Sequence, residues 1–353
     1  MKILQVITSL QIGGAEKLIA EISPMLRDRG NEVDVLAFDG VETYIKKTLE
    51  ETGINVLSFD TNCNVYNPLF IVKLTKLMRN YDVIHTHNTA PQMFAAIGSY
   101  FAKCKLVTTE HSTSTRRRNH WYFKYIDRWM YHRYQKIICI SEPSERSLRS
   151  YIGNNYPIVT IKNGVNISNF TNAAMIDLGI GECKKITMVA GFRYEKDQST
   201  VIKALKYLPE DFHVVLVGDG EKRQELEELI SDEQLQQRVH LLGIRKDVPN
   251  ILRSSDYIVM SSHREGLSLS NVEGMSAGHP FIASDVEGLR EVTKGYGLLF
   301  PHGNSKALAD IILKLSGDEP YTQSIAAKCL ERAQMFDIQK MVDAYNNIYL
   351  NLK

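Results

Sequence analysis

The stretch Arg264-Glu265-Gly266-Leu267-Ser268-Leu269-Ser270-Asn271-Val272-Glu273-Gly274-Met275-Ser276-Ala277-Gly278 decides how this chain is read. It follows a short apolar strand, Tyr257-Ile258-Val259-Met260, after the turn Ser261-Ser262-His263. Leu269 to Ala277 reads as a helix, with Gly278 as its stop. Small residues and hydroxyls crowd the first turn of that helix. Its leading N–H groups have no intrahelical partner, and the positive end of the helix dipole lies there. Such a turn suits an anion, a diphosphate for example.

Glu265 precedes the helix and Glu273 lies within it. Eight residues at helical rise span about 12 Å, enough to give each end of one extended ligand its own carboxylate. Spacing alone does not single this pair out, because Glu42/Glu50 and Glu225/Glu233 share it. Those two read as solvated faces of charged helices. Glu265 and Glu273 differ by context: strand, glycine, hydroxyl-rich helix start, glycine stop.

Outward from this stretch, apolar strands and helical segments alternate along the whole chain. Ile3 to Ile7, Val33 to Phe38, Ile54 to Phe59, Val83 to Thr86, Leu106 to Thr109, Ile137 to Ile140 and Val159 to Ile161 are strands. Helical apolar spacing fills Ala15 to Arg29, ended by Gly30. After Asn163-Gly164-Val165, a turn, a second set begins: Ile186 to Ala190, Val214 to Val217, Val239 to Leu242, Tyr257 to Met260, Phe281 to Ala283 and Leu298 to Phe300. Its helices include Ser199 to Leu208, Glu221 to Ile230 and Ser305 to Leu315. This is the pattern of open parallel sheets covered on both faces. The expected domains are 1–165, 166–336 and a closing amphipathic helix in 337–353 that can pack back on the first.

Composition bounds the function. The chain has 353 residues, too many for one ordinary core, with 44% hydrophobic and 24% charged residues and a net charge of +1. Such a balance gives no overall pull toward nucleic acid. Five scattered cysteines without a Cys-x-x-Cys pair point to a reducing, cytoplasmic setting and away from a zinc site. No apolar run reaches the ~18 residues of a membrane span. Lys2 to Leu10 reads as a first strand, not a signal peptide. No Asp-x-Asp pair occurs, so the usual carboxylates for a donor-bound divalent cation are absent, and neither metal nor cofactor is expected.

Ligands of such sheets bind beyond the carboxyl ends of the strands. Several ends here are chemically loaded. Gly13-Gly14 follows the first strand and permits close backbone approach. His85-Thr86-His87 ends the fourth and Glu110-His111-Ser112 the fifth. His85-x-His87 has a metal-like look, against which strand alternation is set. Val217-Gly218-Asp219-Gly220 has a Gly-x-Gly, but Arg223 occupies the third glycine position of a dinucleotide fingerprint. Gly191-Phe192-Arg193-Tyr194-Glu195-Lys196-Asp197 presents two cations able to neutralise a departing diphosphate, with a solvated loop as the plainer reading.

Taken together and in order, these landmarks resemble the retaining family-4 glycosyltransferases of GT-B fold. The resemblance runs through Gly13-Gly14-Ala15-Glu16, His85-Thr86-His87, Glu110-His111, Ser141-Glu142, Asn163-Gly164-Val165, Lys196-Asp197, Gly218-Asp219-Gly220, Leu242-Gly243 and Glu265 to Glu273. It implies two Rossmann-like doubly wound domains facing a central cleft. It also implies transfer of a sugar from a nucleotide-diphosphate sugar, UDP-linked most commonly, with anomeric retention and no metal. The acceptor would be a hydroxyl of a glycan or lipid-linked glycan, in surface polysaccharide or glycoconjugate synthesis. By resemblance His111, Glu265, Lys196 and Arg193 carry catalysis. Gly13, Gly14, Gly218, Gly266, Leu267, Ser268, Leu269 and Glu273 hold the donor, Glu273 at its ribose and Glu265 at its sugar. One departure stands out: counting back from Lys196 puts Gly191 where the family commonly has Arg, so Arg193 would supply that charge from nearby. Competing readings are a nucleotide-sugar epimerase of the same fold, which would act without an acceptor, and a non-catalytic sugar-nucleotide-binding subunit.

The segment Arg116 to Lys136 holds seven Lys or Arg, seven large aromatics and one acid, Asp127. Arg116, Arg117, Arg118 and Trp121 are expected on the acceptor side or against an anionic membrane surface. The alternative makes Trp121, Tyr125 and Trp129, at i, i+4 spacing, the core face of a helix.

Overall fold

The computed structural model describes residues 1–11, 13–59, 64–112, 116–265 and 269–352, the side chains of Arg116 and Asn119 excepted. The chain forms two compact units: Met1–Asn163 with Ile338–Lys353, and Gly164–Asp337.

Unit 1 is a seven-stranded parallel sheet made of β1 (Lys2–Ile7), β2 (Glu32–Ala37), β3 (Asn55–Ser58), β4 (Val83–His87), β5 (Lys105–Glu110), β6 (Lys136–Cys139) and β7 (Ile158–Thr160). Its spatial order is β3-β2-β1-β4-β5-β6-β7. The order reverses between β1 and β4, and a doubly wound sheet opens its ligand crevice at the carboxyl ends flanking such a reversal. Alternation along β1 sends Leu4 and Val6 to a face covered by Phe70 and Phe94, and Ile3 and Ile7 to the opposite face. That opposite face is covered by helix Gly14–Arg27 and by the last helix, Ile338–Leu350, through Val342, Tyr345 and Tyr349. Gln5 lies between Ile3 and Ile7 on this side and is fully buried.

Unit 2 is a six-stranded parallel sheet of β8 (Lys184–Val189), β9 (Phe212–Val217), β10 (Val239–Gly243), β11 (Tyr257–Met260), β12 (Phe281–Ser284) and β13 (Leu298–Phe300). The order is β10-β9-β8-β11-β12-β13, with the reversal between β8 and β11. Its strands are near-continuous apolar runs, because helices cover both faces of a parallel sheet. The helix within the opening stretch runs Leu269–Met275, shorter than its sequence suggests. Ser276 Oγ bonds back to the carbonyls of Val272 and Glu273 and closes the last turn, and Gly278 follows at φ +82°. Gly274 is required by packing: a Cβ there would lie 2.8 Å from the Phe281 ring.

Candidate active site

In unit 2 the loaded residues gather at the carboxyl ends of β8 and β11. Segment Glu195–Asp197 pairs with Ser261–His263 through a Lys196–Ser262 bridge, with Asp197 N donating to Ser261 O at 3.0 Å and His263 N to Glu195 O at 2.9 Å. This ribbon brings Lys196 to Glu265, 69 residues away, as an ion pair, while Ser262 Oγ donates to the same carboxylate at 3.4 Å. Asp197 is buried and does structural duty. It caps helix Gln198–Ala204 by accepting from Thr200 N at 3.2 Å, and it accepts from Ser261 Oγ at 2.9 Å. A cavity of about 760 Å³ opens here, lined by Gly191, Arg193, Glu195, Lys196, Arg264 and Glu265. Three cations and two carboxylates therefore share its wall. Arg193 is exposed and, among the described residues, forms no ion pair.

The glycines of Val217-Gly218-Asp219-Gly220 answer to backbone crossing. A Cβ on Gly218 would lie 2.1 Å from Ala190 O, and one on Gly220 2.4 Å from Phe192 O. Phe192 is fully buried, so the loop carrying Arg193 is pinned from beneath. Leu269 opens its helix and packs on the core of unit 2. Glu273 is partly buried on the same helix, and among the described residues neither amide atom of the neighbouring, fully buried Asn271 has a hydrogen-bond partner. Gly266, Leu267 and Ser268 lie outside the described residues.

In unit 1 the site lies at the ends of β1, β4 and β5. Gly13 is extended and precedes helix Gly14–Arg27, where a Cβ on it would strike the Glu16 carboxylate. A Cβ on Gly14 would meet none of the described residues within 4 Å, so their packing does not require glycine there. The His85 and His87 rings stack 4.5 Å apart. Residues two apart on a strand return to one face, so alternation does not separate these imidazoles as expected from the sequence. What counts against a metal pair is that all four ring nitrogens are engaged. His85 meets Tyr349 Oη (2.5 Å) and Thr109 Oγ1 (2.8 Å); His87 meets His111 Nε2 (2.8 Å) and Gln5 Oε1 (2.9 Å). Burial favours the neutral rings: it lowers His85 to about 3, His111 to about 4 and His87 well below its ordinary range. Gln5 and Tyr349 were not among the residues expected from the sequence. A glutamine within the apolar run Ile3-Leu4-Gln5-Val6-Ile7 was the available signal, since a buried amide needs partners.

The basic run is placed differently from its expectation. Arg116 opens a short 3-10 turn, Arg116–Asn119. Arg117 pairs with buried Asp127, and Arg118 pairs at 2.9 Å with Glu110, the two side chains only 9% and 7% exposed. Glu110 also accepts from Tyr131 Oη at 2.7 Å and Gln92 Nε2 at 2.6 Å. Arg117 and Arg118 are thus inward clamps, not surface cations, because two buried carboxylates demand them. Trp121, by contrast, is 77% exposed and Tyr125 65%. The buried face of their helix is Asp127, Met130 and Tyr131, which removes the reading of those aromatics as core.

Residues 12–169 match the family profile Glycosyltransferase Family 4, and residues 174–333 match Glycosyl transferases group 1. The chain is 27% identical over 310 residues to the Escherichia coli UDP-Gal:alpha-D-GlcNAc-diphosphoundecaprenol alpha-1,3-galactosyltransferase, covering 80% of this chain and 79% of that one. It is 26% identical to the Bacillus anthracis N-acetyl-alpha-D-glucosaminyl L-malate synthase, covering 97% and 94%. Among solved structures it is similar to Anabaena HepE in complex with UDP, at 25% identity and a TM-score of 0.80 with both chains fully covered. HepE has also been solved with UDP-glucose. On two doubly wound parallel sheets and two adjoining family matches, the chain belongs to the group 1, family 4 glycosyltransferases of GT-B fold.

Proposed function

We propose that this glycosyltransferase moves a sugar from a UDP-linked donor to a hydroxyl of a glycan or lipid-linked glycan, with retention at the anomeric carbon and without a metal. The observation that carries the reading is the cavity of unit 2, where Lys196, Arg193 and Arg264 stand beside Glu265. Cations there stabilise charge that grows on a departing diphosphate. In the proposed step the bond from the anomeric carbon to the diphosphate oxygen breaks. The acceptor oxygen bonds to the same face of that carbon, and the acceptor's proton passes to the leaving phosphate. Lys196 and Arg193 hold the diphosphate, Glu265 and His111 the sugar, Glu273 the ribose. Support for UDP comes from HepE, solved with UDP and with UDP-glucose, and from the relative that is a UDP-Gal galactosyltransferase. A donor screen with purified protein tests the reading by measuring released nucleotide with and without acceptors. Transfer from UDP-sugars that persists in EDTA, with product anomers of the donor's configuration, is expected. Product without an acceptor would mean an epimerase, and no turnover with any donor a binding subunit.

The same reading places the protein peripherally on an anionic membrane. No described helix is long and apolar enough to cross one. Trp121 and Tyr125 continue through Trp129, whose Nε1 donates to Tyr100 Oη at 3.2 Å, to Phe101, 67% exposed. Arg79 Nε donates to Phe101 O, which brings in helix Leu69–Met78 with exposed Val72, Lys73 and Lys76. Residues 69–136 hold twelve Lys or Arg against three acids, and two of those acids are the inward Glu110 and Asp127. Aromatic side chains among excess cations bind anionic interfaces by apolar burial plus charge. Wild type should float with anionic vesicles and not neutral ones, less as salt rises. Trp121→Ser with Tyr125→Ser and Phe101→Ser should stay at the bottom of the gradient. Wild type that never floats would leave a soluble acceptor.

A further inference from the structure

We infer that the last helix, acting through Tyr349 and Gln5, fixes which ring nitrogen of His111 meets a ligand, and that His111 offers its Nδ1 there as an acceptor for a hydroxyl proton. The inference deepens the proposed transfer, since it rests on His111 meeting the donor's sugar.

A carbonyl oxygen only accepts, so with Gln5 Oε1 2.9 Å from His87 Nε2, that nitrogen carries the proton. A neutral imidazole has one donor and one acceptor, so His87 Nδ1 accepts. Its partner at 2.8 Å, His111 Nε2, must then donate. The remaining nitrogen of His111, Nδ1, keeps a bare lone pair, and no hydrogen bond reaches it among the described residues. At the other end Gln5 Nε2 donates to Tyr349 Oη at 3.4 Å. The Tyr349 proton is left for His85 Nδ1 at 2.5 Å, and His85 Nε2–H for Thr109 Oγ1 at 2.8 Å. Gln5, His85, His87, Thr109 and Tyr349 are all buried, so no water resets a link. From Gln5 to His111 each link is directional: turning the Gln5 amide over would reverse the protonation of both His87 and His111.

Gln5 and Tyr349 are therefore positioning residues. A bare Nδ1 accepts from a hydroxyl and repels a carboxylate or phosphate oxygen. The class of donor sugar this favours carries a neutral hydroxyl at the contact, as a hexose or N-acetylhexosamine does, and not the carboxylate of a uronic acid.

The test is long-range proton–nitrogen correlation on the full chain labelled with 15N-histidine, with His111 assigned by its loss in His111→Gln. His87 and His111 should both be protonated at Nε2 in wild type. In Gln5→Leu and Tyr349→Phe the His111 signals should move toward a tautomer mixture. Turnover should fall about tenfold, the equivalent of one hydrogen bond, with nucleotide affinity and circular dichroism unchanged. Tyr349→Phe loses one hydroxyl and carries the test if Gln5→Leu does not fold. A wild-type His111 protonated at Nδ1, or a tautomer indifferent to both variants, overturns the inference whatever the activity. The expected tautomers with no sugar transfer would leave the wiring standing and remove the functional reading instead.

Discussion

Lys196 is held by Glu265 across the cavity wall, so its loss removes a cation and leaves a carboxylate unpaired. Lys196→Ala should lower kcat by two or more orders of magnitude, on the order of 3 kcal/mol, if it stabilises the leaving diphosphate. Arg193→Ala should cost less, unless Arg193 has taken over the charge of the position held by Gly191. Steady-state kinetics on the two variants decides between these roles. The buried histidines give a second expectation. Their native pKa values are depressed below that of the unfolded chain, so the unfolded state takes up protons first as pH falls. The stability contributed by neutral His85, His87 and His111 is thus present above about pH 6.5 and is lost on descent toward pH 3–4. Each histidine should contribute up to about 1.4 kcal/mol per pH unit in that window. Denaturant titrations at pH 7.5 and 5.0 measure it, and a flat profile would mean that the rings are not held neutral. Individual residues were legible in the sequence where a motif named them. Pairings were not: Lys196 meets Glu265 only because a ribbon aligns Glu195–Asp197 with Ser261–His263.

At the scale of elements, every strand could be read from its apolar run, with ends displaced by a residue or two. Helix Glu319–Gln334 was harder, because its buried face is only Ile325, Cys329 and Ala333, two of them small. Helix Trp121–His132 shows the opposite failure. Its aromatic spacing fits a core face and a surface equally well. The decision is made outside the helix by Glu110, which captures Arg118 and Tyr131 and so turns Met130 inward and Trp121 outward. Glu110→Gln keeps the size of the side chain but turns one acceptor oxygen into an NH2 donor, and it leaves Arg118 buried beside a neutral amide. A cost of about 3–5 kcal/mol is expected. Equilibrium unfolding should show it as a lower midpoint with an unchanged slope, and a cost under about 1 kcal/mol would mean that Arg118 swings out to water.

At the scale of the molecule, unit 1 is assembled from two distant parts of the chain. Helix Ile338–Leu350 buries Ile338, Met341, Val342, Tyr345 and Tyr349, all at most 3% exposed. At about 1.5–3 kcal/mol for each large apolar side chain, this burial rivals the whole stability of a domain. A chain ending at Asp337 should therefore lose the cooperative melt of unit 1 and keep that of unit 2, as calorimetry would resolve. Two intact transitions in the shortened protein would mean that the helix is an accessory.

That returning helix also dictates an order of events during synthesis. The seven strands of unit 1 leave the ribosome first, yet the part of the Gln5 and His85 face that the last helix covers stays open while the 174 residues of Gly164–Asp337 are made. At about 5–20 residues per second this exposure lasts roughly ten to forty seconds. The second unit can finish folding while the first still waits, a reversal of the usual amino-to-carboxyl order. Nascent chains stalled before Ile338 should accordingly be retained by chaperones through the apolar face around Ile3, Ile7 and Ile22, and released once Tyr349 has emerged.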